Sequence, residues 1–541
     1  MDVERKQRKI ATWALDPDFR FNDIYNFITY EDWLRRAFLS VKKNAGSRTA
    51  GVDGETISDF EDDLEENIQA LAQQLDSETY DPDPTRRVYI PKGNGEKRPL
   101  SIPTVRDRIV QEALRMLLEP IYESDFSDYS LGFRPGRSAH DAIKVVQGCL
   151  NRAGQSGYSP WIIDADISGF FDNVSHTILE QRLRDRITQE KVRDLIWKFL
   201  KAGVMEGNRM KETVAGTPQG GILSPLLANI YLDQLDQAVK PLTDLTMEEM
   251  ARRRASGKGN WTYVRYADDF LLLTNGTRKR AEQKLQWTKD FVERELKLTL
   301  NEKKTSLTHG EDGGIEFLGY RIEPSHPKQG GGAKTKVPRR AIQDVKTAIR
   351  RRCGKDASTD VSTRNRMRGL NSVLRGWAEY YKYATQASKV FPEVQSFAWQ
   401  KMSCWLAKKF RCSRKTLFSD IAEKTNPIRV NGMEMVYIPG KGNAKWHKPL
   451  KKDHPYFDGT ATRREPTAVY QIFENEHRTG HRDLRWKVFR RDDWTCQECG
   501  KKVSWYDDGE LHHLEYSGKP VDAETLCADC HAEKDPHRHV G

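Results

Sequence analysis

The run Tyr263–Thr274, YVRYADDFLLLT, sets two adjacent aspartates inside an otherwise strand-like apolar stretch. An ionised carboxylate taken out of water is costly unless something cationic meets it. A chain that needed only a buried strand has no use for such a pair. The pattern predicts a hairpin with TYV entering, FLLLT leaving and the acidic dipeptide at the tight turn. There, side chains that would alternate along a strand can converge on one side. A second source of acid lies in IIDADISGFFD, where Asp164 and Asp166 share a face at i, i+2. Two such strands side by side gather carboxylates where the strands end. Hard, oxygen-preferring Mg²⁺ resolves the electrostatic conflict. Two such ions about 3.5–4 Å apart can activate a hydroxyl nucleophile and stabilise a leaving pyrophosphate.

An Asp-Asp pair alone is weak evidence, because most sit in exposed turns. The surrounding pattern therefore matters. ISDFEDDLEENIQALAQQL predicts an acidic amphipathic helix capped by Ser58 or Asp59. RRVYIPKGNGEKRPLSIPT predicts a hairpin around Gly93-Asn94-Gly95. DRIVQEALRMLLEPIYE predicts a helix stopped by Pro120, and EFLGYRI a single short strand. PSHPKQGGGAKTKVP reads as a loop separating this α/β region from a mostly helical one, and residues 425–480 as a second soft region.

Charge is distributed unevenly. The net is +11, yet Arg339–Lys415 alone holds 19 Lys/Arg against 5 Asp/Glu, a local +14. That block is interleaved with Trp377, Tyr380, Tyr381, Tyr383, Trp399 and Trp405. It reads as a footprint for a phosphate backbone with surfaces on which bases stack. The alternative is a solvated helical face packed by its own aromatics. At 541 residues the chain has room for three or more domains. Its charged start, MDVERKQRKI, and the lack of a long apolar run predict neither a signal peptide nor a membrane span.

Cys149, Cys353, Cys404 and Cys412 are scattered and read as reduced thiols, whereas CQECG and CADCH pair Cys496 with Cys499 and Cys527 with Cys530. Two C-x-x-C pairs at this separation match a closed tetrahedral Cys₄ zinc site. In so short a tail zinc would supply folding energy directly.

Together with RYADDFLLL, the ordered segments GFRPGRSAHDAI, DADISGFFDNVSH, GTPQGGILSPLLANIYLDQLD and KKTSLTHGEDGGIEFLGY resemble the reverse transcriptases encoded by group II introns, over roughly residues 45–320. GLNSVLRGWAEYYKY, Gly369 to Tyr383, is similar to the maturase (thumb) region of that family. The resemblance implies a multidomain α/β and α chain. Residues 1–85 would be an N-terminal extension and the start of the fingers. Residues 86–325 would form fingers and palm of a right-hand polymerase with an antiparallel sheet. The helical thumb would span 336–390, a DNA-binding region and linker 391–478, and a ββα-metal HNH nuclease domain 479–541.

The same resemblance implies roles. Asp166 would be the first metal-binding aspartate, with Asp164 the alternative. Asp268 and Asp269 would complete the set, and the carbonyl of Ile167 would be an extra ligand. Phe171 would be an aromatic gate against a nucleotide 2′-hydroxyl. Gln219, in TPQGG, would lie against nucleotide and template. Lys92, Lys97 and Arg98 would hold the triphosphate, their alternative being a solvated turn. Lys304 would protonate pyrophosphate, with Lys303 competing. Arg340, Arg351, Arg364, Arg366, Arg368, Arg375, Trp377 and Lys382 would contact nucleic acid.

The tail segment ELHHLEYSGKP, framed by the cysteine pairs, resembles HNH nucleases. This implies His513 as general base and His512, Asp522, His531 and Asp535 around a divalent metal. Asp522 stands nearest the place where the family commonly has Asn, and Asp535 where it has His. A structural zinc module that grips DNA is the counter-reading. The implied partners are intron RNA, target DNA and deoxynucleotides, with no membrane, in a bacterial cytoplasm or nucleoid or in an organelle. Two further readings stand beside this one. The chain could be a domesticated reverse transcriptase of host defence or repair, against which the tail argues. It could be a splicing chaperone with an inactive polymerase site, against which the unbroken YADD, DISGFFD and TPQGG argue.

Overall fold

The computed structural model describes residues 2–44, 46–91, 97–156, 159–206, 209–211, 216–217, 219–324, 332–423, 428–430, 433–438, 455–456, 509–513 and 523–527. They form two compact units. The first comprises Met1–Ser138 and Ile163–Leu307 with the described residues after 450; the second comprises Ala139–Ile162 and the described residues of Thr308–Leu450.

Two four-stranded sheets come first. β1 (Thr85–Pro91), β2 (Lys97–Ile102), β4 (Val204–Glu206) and β5 (Arg209–Lys211) are ordered β2-β1-β4-β5. β3 (Trp161–Asp166), β6 (Trp261–Tyr266), β7 (Asp269–Thr274) and β8 (Ser306–His309) are ordered β6-β7-β3-β8. β1 and β2 pair antiparallel from Arg86↔Ile102 to Pro91↔Lys97, as the hairpin pattern predicts, and the Gly-Asn-Gly connection lies outside the described residues. β1 also runs parallel to β4 through Thr85↔Val204. β6 and β7 are buried along nearly their whole length, in keeping with their largely apolar sequence. The Ser224–Thr243 helix, with Pro225 in its first turn, contributes buried Leu226, Tyr231, Leu232 and Leu235.

Two helix boundaries differ from the sequence expectation. The acidic helix is not capped by Ser58 or Asp59; Thr56 and Asp59 form a reciprocal capping box, with Thr56 N donating to Asp59 at 2.8 Å. It also breaks at Asp63 into Ile57–Asp62 and Leu64–Asp76, and Asn67 Nδ2 takes the Phe60 carbonyl at 3.0 Å. Pro120 does not stop its helix, which runs Val105–Tyr122. A proline there leaves the Met116 carbonyl without its helical donor. Gln7 Nε2, from the Val3–Ala14 helix, donates to that carbonyl at 2.8 Å.

In the second unit β9 (Ile315–Phe317), β10 (Tyr320–Pro324) and β11 (Ala333–Lys336) form a sheet ordered β11-β10-β9. EFLGYRI is therefore a hairpin and not one strand: Leu318 and Gly319 turn at φ 45° and 70°. β11 lies within the stretch expected to be loop, where the Ala333 amide donates to Asn151 Oδ1 at 2.8 Å. Helices Arg339–Cys353, Thr363–Tyr381 and Ala387–Lys409 pack together through Ile349, Leu370, Val394 and Met402. Three two-residue strands follow, β12 (Ala422–Glu423), β13 (Arg429–Val430) and β14 (Met433–Glu434), in that order. β15 (Gly509–His513) and β16 (Ala523–Cys527) pair antiparallel. No helix among the described residues is long and apolar enough to cross a membrane.

If the Gln7 bond is what lets the helix pass Pro120, Gln7→Ala should cost about 1 kcal/mol in urea unfolding. In a Pro120→Ala background, which restores an intrahelical donor, the same change should be nearly neutral.

Candidate active site

The β6–β7 turn comprises Ala267 and Asp268, with Tyr266 opposite Asp269. Ala267 adopts φ +58°, a left-handed conformation that a non-glycine residue avoids without support. The support is a charged side chain beneath it. Arg265 is fully buried; its Nε and Nη2 donate to Asp236 Oδ1 and Oδ2 at 2.8 and 2.5 Å. Its Nη1 donates to Asn229 Oδ1 at 3.0 Å and to the Ala267 carbonyl at 2.9 Å. Tyr263 adds a 2.7 Å bond to Asp236 Oδ1. Burial pulls the Arg265 pKa down, but Asp236 more than reverses this and the guanidinium stays charged. Gly132 closes the other side: a Cβ there would stand 2.3 Å from Ala267 N, so only glycine admits this approach.

Asp164 and Asp166 project from the end of β3. Ser168 N donates to Thr299 O at 2.9 Å, and Asn301 N to Asp166 O at 2.8 Å, while Ile167 bridges to Leu300. The 301–305 turn is thereby fixed to the backbone of Asp166. Lys304 on that turn reaches both oxygens of Asp166, at 3.1 and 3.0 Å. Of the two candidate lysines, Lys304 makes this pair, and its hydrogen bond to Asp166 raises its pKa. Lys303 contributes its main-chain amide to Asn301 Oδ1.

The acids perturb one another. Burial, then Asp269 and Asp166, pushes the Asp164 carboxyl up to about 6. Burial, then Asp268 and Asp166, does the same to Asp269. Asp268 is raised by burial and by Asp166, against its own amide, Arg98 and Lys304. Among the described residues no three His, Cys, Asp or Glu side chains stand close enough to form a ready ligand group. A half-buried set of carboxylates in one another's fields nevertheless has the donor chemistry that a hard divalent cation satisfies.

Phe171 and Gln219 are tied to one loop. Thr217 N donates to Phe171 O at 2.7 Å, Gly216 N to Val174 O at 2.9 Å, and Ser101 N on β2 to Gln219 O at 2.6 Å. Phe171 stacks edge-on against Phe170, with centroids 5.2 Å apart. Lys97 and Arg98 are exposed on β2, while Lys92 lies outside the described residues. Sequence reasoning missed Asn229, Asp236, Arg265 and Gly132. The signal was available for Arg265, since a charge in an apolar run needs a partner as much as an acid does.

In the second unit Arg340, Arg351, Arg364, Arg368 and Arg375 are exposed. Not all of the aromatics are the stacking surfaces expected of them. Tyr381, Tyr383 and Trp405 are buried, and Trp377 packs between Tyr381 and Phe391. Arg366 donates to Ser358 O at 2.8 Å and lies over Trp405, and Lys382 pairs with Glu379. In the tail, His512 and His513 lie on β15 opposite Glu524 and Ala523, and Cys527 ends β16. Cys496, Cys499, Asp522, Cys530, His531 and Asp535 lie outside the described residues.

An acid-tipped antiparallel hairpin beside an acid-tipped strand, covered by helices, suits the palm of a nucleic-acid polymerase. Residues 90–322 match the family described as reverse transcriptase (RNA-dependent DNA polymerase), and residues 342–422 the group II intron maturase-specific domain. Protein YkfC of Escherichia coli is 40% identical over 342 residues, covering 60% of this chain and 88% of that protein. Group II intron-encoded protein LtrA of Lactococcus lactis is 34% identical over 458 residues, covering 71% and 74%. An uncharacterized 91 kDa protein in a cob intron of Schizosaccharomyces pombe is 33% identical over 373 residues, covering 60% and 44%. The chain belongs to the group II intron-encoded reverse transcriptases that carry a maturase domain. Reverse transcriptase domains generally use Mg²⁺, in keeping with the donor set above.

The raised pKa of Asp164 has a signed consequence. Between its ordinary value of 3.8 and about 6, the folded chain keeps a proton that the unfolded chain has lost, so stability falls as pH rises through that window. In metal-free buffer, Asp164→Asn should match the parent at pH 4 and exceed it at pH 7.5 by about 1–2 kcal/mol. An equal difference at both pH values would show that the charge is not the cause.

Proposed function

We propose that Asp166, Asp268 and Asp269, with the main-chain oxygen of Ile167, hold two Mg²⁺ ions at which a DNA primer is extended on an RNA template. The observation that carries this reading is the placement of Asp268 and Asp269, at the β6–β7 turn, beside β3, the strand that ends in Asp166. Bound there, divalent cations would favour deprotonation of the primer 3′-hydroxyl and offset charge on the leaving pyrophosphate. Lys304 keeps a proton beside Asp166 that it can pass to a phosphate oxygen. Lys97 and Arg98, with Lys92 of the same hairpin, meet the triphosphate. Phe171 crowds a nucleotide 2′-hydroxyl and so favours deoxynucleotides. Gln219 lies against the same nucleotide, a pairing supported by the loop that bonds to the Phe171 carbonyl.

The reading extends along the chain. The exposed arginines Arg340, Arg351, Arg364, Arg368 and Arg375 bind the intron RNA during splicing. Residues 391–478 bind target DNA, and 479–541 form an HNH domain. There Cys496, Cys499, Cys527 and Cys530 hold structural zinc. His513 activates water, and His512, Asp522, His531 and Asp535 serve a divalent metal. The nick leaves a 3′-hydroxyl from which the polymerase copies the intron. The antiparallel β15–β16 pair, with both histidines on one strand and Cys527 ending the other, supports this part.

Asp268→Ala should abolish extension of a DNA primer on an RNA template while leaving primer–template affinity within about twofold of the parent, since phosphate contacts dominate binding. His513→Ala should lose nicking of duplex target DNA and retain extension. Undiminished nicking by that variant removes His513 as the base, and no nicking by the parent chain favours a structural zinc module that grips DNA.

A further inference from the structure

Phe133, in GFRPGRS, combines two properties that seldom coincide. Its ring is 50% exposed, and its backbone sits at φ +59°. A scattered surface aromatic needs no explanation, but a bulky side chain in the left-handed region does. Three residues on, Gly136 takes the same conformation, at φ +68°, with a glycine and open space around it. The chain thus uses glycine for this geometry where no side chain is needed, and phenylalanine at 133.

The residues on either side are fixed. Leu131 N donates to Arg265 O at 2.8 Å. The Gly132 carbonyl accepts from Asn229 Nδ2 at 2.8 Å, and its Cα abuts Ala267 N. Arg134, buried, holds Glu123 through two bonds of 2.9 Å and the carbonyls of Ser127 and Ser130 at 2.6 and 2.9 Å. Two left-handed non-glycine turns, at Phe133 and Ala267, therefore meet back to back through Gly132. Arg265 bonds to both, accepting from Leu131 N and donating to the Ala267 carbonyl, and Asn229 bonds to Gly132 and to Arg265. One carries Asp268 and Asp269; the other leaves the Phe133 ring half exposed.

We propose that Phe133 is a nucleic-acid contact. Its ring is held on the rigid neighbour of the catalytic turn to stack on a base or sugar of the primer–template duplex, so that the duplex end is set against the carboxylates. Aromatic faces serve this purpose without regard to base identity, as a copying enzyme requires. The strain persists because the flanking bonds impose it. The inference rests on the polymerase reading above and adds the residue that seats its duplex.

The test uses the full chain and a fluorescein-labelled DNA primer annealed to RNA. Phe133→Gly should weaken primer–template binding by about tenfold, as loss of one stacking contact does. It should raise KM for the duplex by a similar factor. Its Tm should equal or exceed that of the parent, because the substitution relieves the backbone. Phe133→Leu should fall between, and Phe133→Trp should restore binding. Unchanged affinity in Phe133→Gly, with the parent chain extending primers normally, overturns the inference and leaves the polymerase reading intact. A lowered Tm with equal loss of binding in Phe133→Trp also overturns it, by making the ring structural. A parent chain that extends no primer overturns the polymerase reading itself.

Discussion

The buried ion pair between Arg265 and Asp236 is the constraint on which the site depends. Taking both charges out of water is expensive, and an apolar pair of similar volume would serve stability as well or better. What an apolar pair could not supply is the rest of the guanidinium. After two parallel bonds to Asp236, its remaining edge reaches the Ala267 carbonyl and Asn229. Those bonds hold a strained two-residue turn in one conformation, and the turn aims Asp268 and Asp269. Loss of either partner would leave an uncompensated buried charge, a cost of about 3–5 kcal/mol. The pair is better understood as fixing geometry than as adding stability.

The opposite wall of the site is fixed by backbone. The 299–305 segment bonds to Asp166 and Ser168, so Lys304 is positioned by the same strand end whose acid it meets. The lysine and the aspartate therefore move together. Asp164, Asp268 and Asp269, raised by burial and by neighbouring acids, are the complementary half: a cation placed among them would relieve that repulsion.

Much of this was legible in the sequence, and the exceptions have physical causes. YADD could be read as a turn because its flanks are too apolar for any other use of two acids. DADI could be read because alternate residues share a strand face. Pro120 misled because its compensation comes from Gln7, more than a hundred residues away, and no local pattern carries it. EFLGYRI misled because Leu318 takes a positive φ that leucine does not advertise. Tyr381, Tyr383 and Trp405 fit a nucleic-acid footprint in composition, yet helical spacing placed Tyr381 and Trp405 in the core and the turn after Tyr381 buries Tyr383. The arginines between them kept the surface.

The interleaving of the sheets bears on how the chain is made. β3 is an inner strand whose neighbours, β7 and β8, lie more than a hundred residues later. β1 likewise waits for β4. At translation rates of roughly 5–20 residues per second, β3 leaves the ribosome with both edges unpaired for roughly 5–20 s. During that interval it is an open template for any other extended chain. Asp164 and Asp166 near its end are then charges on an unprotected strand, and charged residues on an open edge disfavour pairing with another chain.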